Sequence, residues 1–291
     1  MNFAIRFLTE YRYDADVVDN LNALRVKPAG NGRQRCDEFS VRLMPEVRLH
    51  RHADYFGTEV IEFGIPTSHE QLTIDVRARV VTSAPPDPPE GSWDGLLSPA
   101  YVDAAGEFAL PWQDQPSIAG LESLHDALEA ECPLETLETL CELIPDRFEY
   151  RPGATYVGST VSDLLDMGAG VCQDFVHLSL VLLRRRGIAA RYVSGYLWAA
   201  PHDEGADSME LDTHAWLEAL LPCSDGRGEP VWVSADPTNR GLAGEAHVKI
   251  GHGRFYSDVP PVKGLYMGGA TSQLEAAVTM SRLDPQTSAR A

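Results

Sequence analysis

Four prolines fall within nine residues at Ser83-Ala-Pro-Pro-Asp-Pro-Pro-Glu-Gly91. No central strand or helix interior can hold such a run, because proline lacks an N–H to donate and fixes φ. The run divides the chain into two unlike pieces. Before it, Phe3-Ala-Ile-Arg-Phe, Phe39-Ser-Val-Arg-Leu, Val60-Ile-Glu-Phe and Leu72-Thr-Ile-Asp-Val-Arg-Ala-Arg-Val set apolar or aromatic residues against polar ones, with turns at Asn31-Gly32 and Phe56-Gly57. Such alternation gives a strand one buried and one wet face. Residues 1–82 are therefore expected to form a small antiparallel β domain.

Beyond the prolines the period changes. Residues 83–120 read as a linker and irregular segment with a short helix at Pro99 to Asp103, and residues 121–282 as a second domain. A helix starts at Pro133 and carries Leu134, Leu137, Leu140, Cys141 and Ile144. Thr160 and Ser162-Asp163 open a short helical segment that meets Gly168-Ala-Gly170. Val171 to Arg186 then reads as a long helix with terminal arginines, stopped at Gly187. Ile188 to Trp198, Thr213 to Leu221 and Val231 to Asp236 read as strands, and residues 283–291 as a loose tail. Helices followed by an antiparallel sheet make an α+β class.

Charge narrows the partners. Against 43 Asp+Glu stand 24 Lys+Arg, a formal charge of −19, and Arg184-Arg185-Arg186 is the one basic block. Nucleic-acid binders concentrate cations on phosphates, so no nucleic-acid partner is expected. Arg6 and Glu10 interrupt the opening segment where a secretory leader needs an apolar run, and no apolar stretch approaches the roughly 20 residues of a membrane span. A cytoplasmic protein without membrane association is expected. The five cysteines, Cys36, Cys132, Cys141, Cys172 and Cys223, are scattered without a CxxC pair, which argues against a disulfide framework or a cysteine-rich metal site.

Of these thiols, Cys172 has a chemical setting. It opens the long helix after a glycine-bearing turn, where unpaired N–H groups and the positive helix end favour the thiolate, the nucleophilic form. An imidazole in reach would complete the activation, and a third group must hold its tautomer. His214, in Asp-Thr-His-Ala-Trp-Leu-Glu218, and Asp236, in Trp-Val-Ser-Ala-Asp-Pro237, lie on separate strands that could set them side by side. Alone, a cysteine is more often a buried hydrophobe, a strand histidine a satisfied imidazole and an Asp-Pro a turn former. The case rests on their joint placement.

Gly168-Ala-Gly170-Val-Cys172-Gln-Asp174-Phe-Val-His177, Gly187-Ile-Ala-Ala-Arg191-Tyr-Val-Ser-Gly195-Tyr, His214-Ala-Trp216-Leu-Glu218 and Asp236-Pro-Thr-Asn239 resemble the bacterial transglutaminase-like (transglutaminase/protease-core) superfamily. The likeness spans roughly Tyr150 to Asn239. The β-rich start resembles the amino-terminal domain of such proteins, and Tyr256-Ser-Asp-Val-Pro-Pro-Val-Lys-Gly264 the segment after their core. The resemblance implies a papain-like fold, a nucleophile helix packed on an antiparallel sheet, and a Cys-His-Asp triad at Cys172, His214 and Asp236. It implies acyl transfer from amide bonds of peptides or proteins through a thioester, ending in amide transfer, deamidation or peptide cleavage. The alternative is a binding or assembly protein that keeps the triad without turnover.

The remaining residues divide by role. The Cys172 backbone N–H is one oxyanion donor; the second is unassigned. Asp174 and His177 are expected to support the helix by hydrogen bonds. Cys172, His177 and His214 make a poor zinc set, because Cys172 and His177 lie five apart on the helix, nearly on opposite sides. Neither metal nor organic cofactor is expected. Trp216 is the substrate-groove candidate, with strand packing as the equal alternative.

Overall fold

The structure, a computed structural model, describes residues 1–111, 120–198, 208–211, 213–223 and 228–283, with 208–211 described in backbone only. Alternation at the start of the chain runs further than any one motif indicates: β1 extends over Asn2–Leu24. Its first half pairs antiparallel with β5 (His69–Thr82) on one side and β15 (Ser272–Arg282) on the other. Its second half, beyond register shifts between Arg12 and Val17 and between Val18 and Leu21, pairs with β4 (Glu59–Ile65) and β14 (Val262–Met267). β2 (Gln34–Met44) extends the sheet past β5, β3 (His50–Ala53) past β4, and β9 (Ser208–Leu211) past β15. Period two directs Phe3, Ile5 and Phe7 of β1, Leu72, Ile74 and Val76 of β5, and Val278 and Met280 of β15 into one buried core.

The last two strands correct the sequence reading, which carried 121–282 as one domain. Both return to β1. With β5 on one edge of its first half, the other edge would leave a long row of unpaired N–H and C=O groups, and β15 covers it from Phe3 to Tyr13. No local pattern names a partner some 270 residues away. The expected tail lies, apart from Leu283, outside the described residues.

The segment after the prolines is more than a linker. Ser98 Oγ accepts from the Tyr101 N–H at 3.2 Å, capping α1 (Pro99–Ala105). The Tyr101 hydroxyl donates to the Leu220 carbonyl at 3.2 Å and accepts from the Ala189 N–H at 2.8 Å. Leu96, Tyr101 and Ala105 thereby join the second core.

That core is built from α2 (Leu121–Asp126), α3 (Pro133–Arg147), α4 (Val161–Met167) and α5 (Cys172–Arg185) with a five-stranded antiparallel sheet. The sheet comprises β8 (Ala190–Leu197), β10 (His214–Leu221), β11 (Val231–Asp236), β12 (Gly241–Leu242) and β13 (His247–Gly253), in the order β12-β11-β10-β8-β13. A two-stranded parallel ladder, β6 (Glu149–Tyr150) with β7 (Ala169–Gly170), leads into α5. Helix α5 packs on β8 and β10. Phe175, Val176, Leu178, Leu180, Leu182 and Leu183 are fully buried, each contributing about 1.5–3 kcal/mol relative to exposure. This is the expected helix-on-sheet α+β arrangement.

The β domain seals the free edge of β13. The Gln34 amide acts as a substitute strand, Nε2 donating to the Lys249 carbonyl at 2.7 Å and Oε1 accepting from the Lys249 N–H at 2.8 Å. The Tyr196 hydroxyl donates to the Val26 carbonyl at 3.0 Å. Among the described residues no helix is long and apolar enough to cross a membrane.

Candidate active site

Helix α4 ends at Gly168, and two residues of β7 bring the chain back to open α5 at Cys172. Asp174 organises this turn from the third position of α5. Its Oδ2 accepts from the Val171 N–H at 2.8 Å and from the Thr155 hydroxyl at 2.5 Å. A Cβ on Gly170 would lie 2.8 Å from both Asp174 Oδ2 and Leu164 Cδ1, so no larger residue fits there without displacing the carboxylate. As first residue of the helix, Cys172 has no intrahelical acceptor for its N–H. Asp174 thus braces the turn that leads into Cys172.

His214 opens β10, and Asp236 closes β11 where Pro237 ends the ladder. His214 Nε2 lies 2.7 Å from Asp236 Oδ2, and the Cys172 thiol acts on the same ring, raising its pKa. With Nε2 committed to the carboxylate, Nδ1 is the nitrogen left for sulfur. The three side chains named from separate stretches of sequence come together at one point.

Asp236 is held from both oxygens. Oδ1 accepts from the backbone N–H groups of Thr238 at 3.0 Å and Asn239 at 3.3 Å, capping the turn of 3-10 helix that follows. Oδ2 receives His214, Asn239 Nδ2 at 2.7 Å and His247 Nε2 at 3.0 Å. Burial disfavours the charged carboxyl, yet the bonds from His214 and His247, the His214 charge and Asn239 outweigh it and hold the pKa well below the usual carboxylate range. For His214, burial works against protonation too, but the hydrogen bonds and charges of Asp236 and Cys172 raise its pKa to about 10. Asp236 and Cys172 together favour the protonated form of His214.

His247 and Asn239 were given no role in the sequence reading. Asn239 stood in the Asp-Pro-Thr-Asn motif, three residues from Asp236. His247 had no such marker: it sits on β13, which reaches Asp236 only because the sheet folds back beside β8. Its Nδ1 accepts from the Gly244 N–H at 3.2 Å, so Nε2 carries the proton and donates to Asp236.

Trp216 is corrected. It is 2% exposed and packs behind the two imidazoles, with ring centroids 6.2 Å from His214 and 5.2 Å from His247. An indole this buried shapes the wall that orients the histidines and offers no face to an incoming chain. His177 stands apart from the cluster: its Nε2 accepts from the Tyr256 N–H at 3.4 Å and its ring meets Tyr192. Burial, and then the Arg184 charge, push its pKa down to about 4, so it ties α5 to the loop after β13 as a neutral ring. His214, Asp236 and His247 have ligand atoms close enough to hold a cation, but their hydrogen bonds already use the nitrogens and Oδ2 that would bind it.

Behind the site, Glu218 of β10 is fully enclosed with two cations, Arg191 Nε at 2.7 Å and Lys249 Nζ at 2.6 Å. Burial opposes its charge, but Lys249 and Arg191 bring its pKa down to about 2. Arg191 stacks on Trp232 at 3.9 Å.

Comparison with known proteins bears on the family and the fold. Residues 3–81 match the bacterial transglutaminase-like N-terminal region and residues 123–237 the transglutaminase-like superfamily. An uncharacterized protein of Mycobacterium leprae is 32% identical over 277 residues, covering 94% of this chain and 96% of that one. A protein-glutamine gamma-glutamyltransferase of Pseudomonas aeruginosa is 31% identical over 96 residues, 32% of this chain and 14% of its own length. A provisionally assigned cysteine protease of Cytophaga hutchinsonii shares the fold, with a TM-score of 0.71 at 21% identity over 98% of this chain and 92% of that one.

Proposed function

Because the chain belongs to the transglutaminase-like superfamily, we propose that it is a cysteine-dependent enzyme acting on amide bonds of peptides or proteins, with Cys172 as nucleophile, His214 as proton carrier and Asp236 as the group that orients it. The observation that carries the reading is the placement of His214, with Nε2 2.7 Å from Asp236 and the Cys172 thiol acting with that carboxylate to raise the pKa of the same ring.

The chemistry follows from the proton positions. The Cys172 thiolate attacks the carbonyl carbon of the amide, and the carbonyl electrons move to oxygen, where the Cys172 backbone N–H at the helix start is a donor. As the tetrahedral intermediate collapses, the C–N bond breaks and His214 gives its proton to the departing nitrogen. A thioester remains. A second nucleophile then loses a proton to His214 and attacks the thioester; the C–S bond breaks and the Cys172 thiolate leaves beside protonated His214, closing the cycle. With water the product is an acid; with an amine it is a new amide.

The glutamine side-chain amide is the favoured acyl donor. Its support is the matching segment of the Pseudomonas aeruginosa protein, named as a protein-glutamine gamma-glutamyltransferase. Ammonia is then the first product. The test is to incubate the full chain with a glutamine-containing peptide, with and without a primary amine, and to follow ammonia release and peptide mass. Amide transfer predicts an amine-dependent adduct on glutamine, deamidation predicts glutamate irrespective of amine, and peptidase action predicts chain cleavage. No change in any arm, with a peptide library as substrate, would leave the binding or assembly alternative in its place.

A further inference from the structure

We propose that His50, His52 and Glu62 form a binding site for a divalent transition cation of the zinc class on the amino-terminal β domain. The site is independent of the cysteine chemistry and lies on a different sheet. Strand alternation puts His50 and His52 of β3 on one face, two residues apart, with ring centroids 5.8 Å from each other. Glu62 of β4 stands directly opposite His50 in the antiparallel register and diagonal to His52. Its Oε2 lies 3.9 Å from Nδ1 of both rings, and the three ligand atoms all fall within 4.8 Å of one another.

The donor set selects the ion. Two imidazole nitrogens and one carboxylate oxygen suit Zn²⁺, Co²⁺, Ni²⁺ or Cu²⁺ and supply too few oxygens for Ca²⁺ or Mg²⁺. Bonds of about 2.0–2.2 Å from one ion place its ligand atoms roughly 3–3.5 Å apart. The observed separations close to that value by small rotations of three exposed side chains. Arg51, between the two histidines in sequence, is engaged elsewhere, bonded to Glu59 at 3.2 Å and stacked over Phe39 at 5.3 Å. His50 and Glu62 also line a groove shared with Leu21, Leu265 and the cations Arg48, Arg51 and Lys263, so the remaining coordination positions open to water or to an anionic ligand in that groove. A bound ion would clamp β3, which among the described residues pairs with β4 alone, to the rest of the sheet.

The experiment uses the untagged full chain, freed of metal by chelation, titrated with Co²⁺ and then with Zn²⁺. The expected result is one equivalent of Co²⁺ with visible d–d bands, no thiolate-to-metal charge-transfer band, displacement by Zn²⁺ and a Tm raised by Zn²⁺. Loss of an outer-shell partner alone typically costs about 10–100-fold in metal affinity. His50→Ala and Glu62→Gln should therefore each weaken binding by about tenfold or more, and the His50→Ala/His52→Ala pair should remove both the bands and the Tm shift, while Cys172→Ser keeps them. A charge-transfer band, binding that survives the double substitution, or no saturable binding below millimolar metal would overturn the proposal.

Discussion

His247 Nε2 lies 3.0 Å from Asp236 Oδ2, the same oxygen that His214 meets at 2.7 Å, so one buried carboxylate oxygen holds two histidines. The Gly244 N–H on Nδ1 fixes the His247 tautomer, which makes this ring a donor to Asp236 and a positioning residue for the site. His247→Ala removes one donor from a carboxylate that is 1% exposed. Hydrogen bonds to charged groups contribute about 1.5–3 kcal/mol, so kcat/KM on a glutamine peptide should fall by about 10–100-fold. His247→Gln, which keeps an N–H donor, should restore a measurable part. Equal loss in both variants would assign His247 a packing role instead.

Asp236 sets the alkaline side of the pH profile. The His214 pKa is raised to about 10, with burial opposing and the bonds and charges of Asp236 and Cys172 prevailing. A folded pKa above the unfolded value of about 6.5 contributes stability fully present below that pH and lost as pH rises through about 10. The rate of acyl-enzyme formation, which needs protonated His214, should fall across the same upper range. In Asp236→Asn the alkaline limb should move toward neutrality and the loss of unfolding free energy between pH 7 and 10 should shrink. An unmoved limb would separate the proton carrier from this pair.

Thiol labelling should single out one cysteine. Burial, and then the charges of Asp236, Glu142 and Glu138, push the Cys141 thiol up to about 12, and burial also raises Cys36. Alkylation with limiting iodoacetamide near neutral pH should modify Cys172 at least about tenfold faster than any other cysteine, and His214→Ala should remove that advantage. Peptide mapping after a timed quench reads the result; uniform, slow labelling of all five would count against an activated thiol.

Glu218 tests the support behind the site. Glu218→Gln leaves Arg191 and Lys249 buried without their counter-charge, a change that costs about 3–5 kcal/mol when a buried pair is broken. Urea denaturation should show an unfolding free energy lowered by that amount. A drop below about 1 kcal/mol would mean that water reaches the two cations.

Gly195 tests the wall. A Cβ there would come within 2.2 Å of the Val248 carbonyl oxygen and 2.4 Å of Trp216 Cη2. Gly195→Ala should cost about 1–3 kcal/mol by overpacking and lower kcat more than it raises KM, because the displaced indole carries His214 and His247 with it. A fully active, equally stable variant would show that the wall yields without moving the imidazoles.

Much of this arrangement was legible where the information is local. The glycine turn and Cys172 mark a helix start, Gly187 its end, and Asp236-Pro237 a strand end, so the three residues of the site could be named with the elements that hold them. What stayed hidden depends on long-range return of the chain. His247 reaches Asp236 through the β8–β13 pairing, and β15 reaches β1 across most of the sequence. Trp216 read equally well as groove or packing, because period two reports which residues share a face and not whether that face meets solvent. Tyr101 gave no hint that its hydroxyl would join Leu220 to Ala189, since its surroundings are rich in proline and glycine and resemble a linker.

The most direct measurement is mass spectrometry of the intact chain quenched in acid during reaction with a glutamine-containing peptide. The expected species is a peptide adduct lacking the elements of ammonia, mapped to Cys172, absent in Cys172→Ala and slowed by His214→Ala. Ammonia released at the same rate by Cys172→Ala, or an adduct on any other residue, would contradict it.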